Sequence, residues 1–248
     1  MLFYVGLDDP YNCQHFPRAC VSINRLRTRK KPLGTKILLD SGAFTELHHY
    51  GAYRHSPSEY ANSIRRLVND RIADIEIAVS QDYMCEPFML AKTGLTIPDH
   101  QHMTIERYDA LILNAPVMIM PVLQGYKSSD YVRHIGQYGN RLLERMWVGV
   151  GSVCKRNGNP QAVVDVLDAI KRERPDLRLH GFGVKLTALG HSGVRELLHS
   201  ADSMAWSYHA RKNGRNAHDW REAQAFCDRI DNKVKKGFEP WQPSLFLE

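Results

Sequence analysis

The stretch Lys36-Ile37-Leu38-Leu39-Asp40-Ser41-Gly42-Ala43-Phe44 decides the fold. Its apolar run, Ile37 to Leu39, is bounded by turn residues and reads as a buried strand. Asp40 stands where that strand ends. Ser41 and Gly42 then let the backbone turn sharply and a ligand come close. An acid at the C-terminal end of a parallel strand occupies the position where an α/β barrel places its chemistry. Asp40 could equally cap the segment that follows. Recurrence of the pattern along the chain favours the barrel.

Toward the N-terminus, Leu2-Phe3-Tyr4-Val5-Gly6-Leu7 reads as a strand ending in the turn Asp8-Asp9-Pro10, and Cys20-Val21-Ser22-Ile23 as a weak short strand. Toward the C-terminus, residues 45–51 read as a loop rich in histidine. His48 and His49 there have no carboxylate or cysteine at ligand spacing, so a metal is not expected. Ser56-Pro57-Ser58-Glu59 opens a helix with Tyr60, Ile64, Leu67 and Val68 as its apolar stripe. Strand patterns follow over residues 75–82, 117–125, 145–152, 178–184 and 201–207, separated by helical patterns over residues 131–143 and 160–172 and around Leu111 and Leu197. Strands and helices alternate with short loops, which implies parallel strands and right-handed crossovers. Seven strands are convincing and the one at Val21 is an eighth, enough to close a single (β/α)8 TIM barrel; a doubly wound sheet is the alternative. The expected organisation is a barrel over residues 1–215 and a short C-terminal helix and tail over residues 216–248 packed on it.

Composition is that of an ordinary globular chain: 248 residues, 43% hydrophobic and 24% charged. No apolar run reaches transmembrane length, and the first residues lack the form of a signal peptide. The five cysteines, at positions 13, 20, 85, 154 and 227, form no paired framework, so a reduced, cytoplasmic setting is expected. The net charge of +6 gives modest support to a polyanionic partner. Among the basic clusters, Arg211-Lys212-Asn213-Gly214-Arg215 stands out because it directly follows the last strand.

A barrel gathers Asp40, Asp82, Gln124, Gly149, Gly151, Gly181, Gly183 and Asp202 at one end. Three carboxylates and an amide can hold the edge of a polar planar ring and leave two acids for chemistry, while the glycines leave room for a flat ligand. Neither Gly149-Val150-Gly151 nor Gly181-Phe182-Gly183 has the third glycine of a dinucleotide fingerprint. Two acids acting together suit chemistry at a sugar anomeric carbon, one as nucleophile and one as proton carrier.

Six segments carry a resemblance: residues 39–47, 81–87, 121–125, 148–154, 179–185 and 200–207, in order, spanning about the first 215 residues. They resemble the tRNA-guanine transglycosylase superfamily, a TIM-barrel group. Most closely they resemble its deazapurine-in-DNA (DpdA-like) branch of phages and bacteria. The resemblance implies exchange of guanine in a nucleic acid for a free 7-deazaguanine of the preQ0 type, with no cofactor. It implies Asp40 as the proton-handling acid/base and Asp202 as the nucleophile. It places Asp82, Gln124 and the glycine strands, with Gly149, Gly151 and Gly183, around the base. A shift of three positions would put Ala205 on the nucleophile, but Asp202 is the only carboxylate between Glu196 and Asp219. Arg211 and Arg215 suit phosphate contacts. Trp206 and Tyr208 could stack on an extruded nucleotide; Trp206 reads slightly better as core. The three-Cys, one-His zinc site of the tRNA enzymes has no counterpart beyond His209, His218 and Cys227, so no metal is expected. The absence of an obvious further RNA-binding domain favours DNA over tRNA. Lys233, Lys235 and Lys236 could add to the grip or simply face solvent. The competing readings are a tRNA enzyme, a barrel that binds deazaguanine or nucleic acid as one subunit of a modification complex, and, more weakly, a glycosidase.

Overall fold

Strand β3, Lys36–Asp40, has Ile37, Leu38 and Leu39 fully buried, and the three side chains do not share one environment. Ile37 and Leu39 pack in a large cluster with the helices. Leu38 packs in a second cluster with Tyr4, Cys20, Ile77, Val79, Met120 and Val122. Alternation along a strand therefore sends one side chain into a barrel interior and the next to a surrounding helical layer. This explains why the run is apolar throughout rather than alternating.

A computed structural model describes residues 1–156 and 158–236. The other strands are β1, Leu2–Gly6; β2, Arg18–Ser22; β4, Asp74–Val79; β5, Ile119–Met120; β6, Val122–Leu123; β7, Trp147–Val150; β8, Arg178–Gly181; and β9, Ser200–Ser203. Every pairing is parallel, and the order is β5-β4-β3-β2-β1-β9-β8-β7-β6. The two ends of that order, β5 and β6, are separated in the chain only by Pro121. Proline has no N–H to give to a ladder, so the ladder breaks at Pro121 within what is one continuous extended strand. On one side this strand accepts from Ser80 N through Met120 O (3.0 Å). On the other it accepts from Gly149 N through Pro121 O (2.8 Å) and from Gly151 N through Leu123 O (2.9 Å). The sheet thus closes as an eight-stranded parallel α/β barrel. The weak strand at Val21 is real: β2 pairs in register with β3 from Arg18↔Lys36 to Ser22↔Asp40.

The expected loop over residues 45–51 is instead a helix, α1, Ala43–Tyr50. Its N-cap is Gly42 in the left-handed region (φ 79°), with no side-chain cap, so the usual start signal is absent. Helix α2, Pro57–Asn69, has the expected capping box between Ser56 and Glu59. Helices α3, Pro87–Thr93, α4, Ile97–Ile112, α5, Ser128–Tyr138, and α6, Pro160–Glu173, fill the outer layer. After α7, Leu186–Leu189, and α8, Ser192–Leu197, the chain enters β9. Helix α9, Ala205–Lys212, starts at once, so Ala205 is helical while Asp202 lies in the strand. In α10, Trp220–Lys236, Ala223, Phe226 and Ile230 are buried in the main cluster, and the Phe226 ring lies 6.2 Å from that of Phe3 in β1. The side chains of Lys233, Lys235 and Lys236, and the tail over residues 240–248, lie outside what is described. Among the described residues no helix is long and apolar enough to cross a membrane.

Candidate active site

The interior parity that buries Leu38 carries on to Asp40 two residues later. The same step leads from Cys20 to Ser22, from Val122 to Gln124 and from Ser200 to Asp202. The strand ends therefore deliver their polar side chains to one mouth. There they line a cavity of about 590 Å³, together with Asp82, Gly151, Ser152, Gly183 and the rings of Phe44 and Phe182. That volume lies in the range of small-molecule sites.

The carboxylates act on one another. Burial pushes the Asp40 carboxyl above its ordinary range. The N–H of Gly42, donated to Asp40 Oδ2 at 2.9 Å, opposes this, and the charge of Asp202 adds to it. The same bond closes the turn into α1, so Asp40 both shapes the turn and faces the cavity. Asp82 is pushed up to about 7, first by burial and then by the charge of Asp40, with the hydrogen bond from Gln124 opposing.

Asp82 is held on both oxygens. Ser41 Oγ donates to Oδ1 (3.3 Å), and Gln124 Nε2 donates to Oδ2. Tyr53 fixes the backbone beneath by donating to Asp82 O (3.1 Å). The Gln124 amide is fixed at its other end by Ser152, whose Oγ lies 2.9 Å from Gln124 Oε1 and 2.9 Å from Glu86 Oε2 and accepts from Cys85 N (3.0 Å). Ser152 is in the left-handed region (φ 57°), unusual for a residue with a side chain. The Gln124 backbone is held too: its N–H donates to His134 Nδ1 (2.9 Å), and its carbonyl accepts from Gln101 Nε2 (2.7 Å). Burial drives His134 down to about 3, which keeps Nδ1 an acceptor at neutral pH.

Asp202 receives two donors on one oxygen. Gly183 N donates to Oδ1 at 3.1 Å, and His180 Nε2 lies 3.2 Å from the same atom. Gly183 (φ 61°) makes a turn that favours glycine.

Gly151 lines the cavity, and a side chain there would strike Gln124: an added Cβ would lie 2.1 Å from Nε2. Gly149 lies outside the lining, and the space above it is taken by Phe182, whose Cε2 would be 2.4 Å from a Cβ at that position. Gly181 is not part of the lining either. Arg211 is exposed on α9, 5.7 Å from the Tyr208 ring centroid, which is also exposed. Arg215 is paired with Glu222 of α10 at 3.2 Å, so the two arginines are not equivalent. Trp206 is core, buried and donating to Gly6 O at 2.8 Å. Of the acids at the end of β1, Asp9 caps the following turn, whereas Asp8 lines the cavity and pairs with Arg25. Phe44, Ser152, Phe182 and Met204 line the cavity without having been singled out, and His180 meets Asp202 from below. For Phe182 and His180, the strand parity shared with the expected interior residues was the available signal.

The geometry, then, is a pocket lined by Asp40 and Asp202 together with the Asp82–Gln124 amide–carboxylate pair. The model of the family described as DpdA, DeoxyPurine in DNA protein A, matches residues 12–229. No curated protein matches the chain.

Proposed function

The chain belongs to this family of deoxypurine-in-DNA proteins, and we propose that it is a DNA-guanine transglycosylase that exchanges guanine in DNA for a free 7-deazaguanine of the preQ0 type. The observation that carries the reading is the meeting of Asp40 and Asp202 at one cavity, with the Asp82–Gln124–Ser152 set beside them. Ionised Asp82 accepts the ring N–H and amino donors of a guanine edge. The Gln124 amide, oriented by Ser152, donates its second N–H to the exocyclic oxygen.

In the first half-reaction an Asp202 oxygen attacks C1′ of the deoxyribose. The bond from C1′ to the base nitrogen breaks, and Asp40 gives its proton to the departing guanine. A raised proton affinity at Asp40 suits that role. In the second half the incoming base loses its ring N–H proton to Asp40 and attacks C1′. Asp202 leaves as carboxylate. Bonds and protons balance over the cycle, and no cofactor is required. The target base has to leave its stack to reach a barrel mouth, so an extruded or single-stranded nucleotide is the substrate form. Arg211 is the better placed of the two arginines for a phosphate, because Arg215 is occupied by Glu222.

The test is trapping of the intermediate. Wild-type protein incubated with DNA and denatured should retain a covalent DNA adduct, and Asp202→Ala should retain none. An adduct surviving in Asp202→Ala would remove Asp202 as nucleophile. Equal DNA binding by wild type and Asp40→Ala with no exchange by either would instead favour a binding subunit.

A further inference from the structure

We infer that His180 is the positioning residue of Asp202, and that a donor chain from the half-buried Trp147 through Ser200 sets its tautomer and direction; this rests on the proposed role of Asp202 as nucleophile. Trp147 Nε1 lies 2.7 Å from Ser200 Oγ, Ser200 Oγ lies 2.9 Å from His180 Nδ1, and His180 Nε2 lies 3.2 Å from Asp202 Oδ1. His180 and Ser200 are fully buried and are register partners across β8 and β9. Neither lines the cavity.

The order of donors follows from chemistry. An indole N–H only donates, so Ser200 Oγ accepts from Trp147 and keeps its own hydrogen to give. A carboxylate only accepts, so His180 carries hydrogen on Nε2. In the neutral ring Nδ1 is then an acceptor, and the Ser200 hydroxyl satisfies it. The same three residue types make nucleophilic triads, but here the hydroxyl sits at the buried end and the carboxylate at the cavity, so the working group is Asp202.

The consequence is an asymmetric carboxylate. Oδ1 is held by His180 and by Gly183 N, and among the described residues Oδ2 has no hydrogen-bond partner. A fixed Oδ1 turns Oδ2 into the attacking atom and removes the rotation that would waste encounters with C1′. When Asp202 leaves in the second half-reaction, the charge returning to Oδ1 meets two donors already in place.

The experiment compares His180→Leu, His180→Gln and Ser200→Ala with wild type, measuring base-exchange kinetics, affinity for free guanine by calorimetry, and thermal midpoint. His180→Leu should lower kcat by roughly ten- to a hundredfold, the range for losing a hydrogen bond to a charged group. KM and affinity for the base should stay unchanged, because Asp82, Gln124 and Ser152 are untouched. His180→Gln, which can donate from Nε2, should recover part of kcat. Ser200→Ala should lower kcat while leaving the larger ring in place, which covers the case of a leucine variant that does not fold. Nitrogen-15 NMR of the imidazole should show Nε2 protonated and its signal moved by Asp202→Asn. A folded His180→Leu exchanging at the wild-type rate would overturn the inference. So would a glutamine variant no better than leucine with base affinity falling in parallel, or an imidazole signal indifferent to Asp202. Wild-type protein that exchanges no base overturns the transglycosylase reading itself; the NMR signal separates that failure from a failure of the His180–Asp202 pairing.

Discussion

At the scale of single residues, the site depends on contacts that leave no slack. Gly151 is the sharpest case. A methyl group there would overlap the Gln124 amide, 2.1 Å from Nε2 and 2.4 Å from Cδ, and push it away from Asp82. Gly151→Ala should therefore fold normally yet weaken binding of free base by roughly tenfold or more, the loss of about one good polar contact (about 1.4 kcal/mol); calorimetry on the folded variant checks this. Asp82 gives a pH signature. Its empty-site value of about 7, far above the ordinary 3.8, means that below about pH 7 the free pocket holds a proton. Without ligand this linkage favours the fold at low pH, and the stabilisation is lost as pH rises toward 7. A base edge that donates two N–H groups binds the ionised form, so binding below pH 7 should release a proton. Apparent affinity should climb with pH and level off above about 7. Calorimetry in buffers of different ionisation heat should show the release in wild type and none in Asp82→Asn.

At the scale of elements, the mouth is held from behind by helices. His134 of α5 accepts the Gln124 N–H and lies 3.2 Å from Gln101 O of α4 through Nε2, tying two helices to the strand that carries Gln124. His134→Leu leaves the buried Gln124 N–H without its acceptor, while Gln101 O keeps its helical partner within α4, and should cost roughly 1–3 kcal/mol for the one unpaired group; a fall in thermal midpoint measures it. The same scale shows what the sequence could convey. Strand positions were legible because a barrel strand is buried on both faces, as at Ile37 to Leu39. Even β2, framed by Arg18 and Ser22, is carried by Ala19, Cys20 and Val21. Helix α1 was not legible, because it begins at a left-handed glycine with no capping side chain and runs through His48 and His49. The main polar residues of the mouth were visible as acids and an amide at strand ends. His180 was legible only as an interior strand position, since its pairing comes from register between β8 and β9, and Ser152 not at all, since its placement comes from a left-handed turn that leaves no local pattern.

At the scale of the whole molecule, closure of the sheet through Pro121 brings the ends of β3 and β9, and the segments after β4 and β6, to one mouth although they lie far apart in the chain. Helices α9 and α10 lie next in the chain, with Arg211 exposed on the first. Exchange of a base in DNA is the activity proposed for this mouth. The most direct measurement offers purified protein duplex DNA, single-stranded DNA and tRNA, each with labelled guanine or labelled 7-cyano-7-deazaguanine. Label should enter DNA with wild-type protein and not with Asp202→Ala. Label entering tRNA alone, or none in any nucleic acid with folded protein, would contradict it.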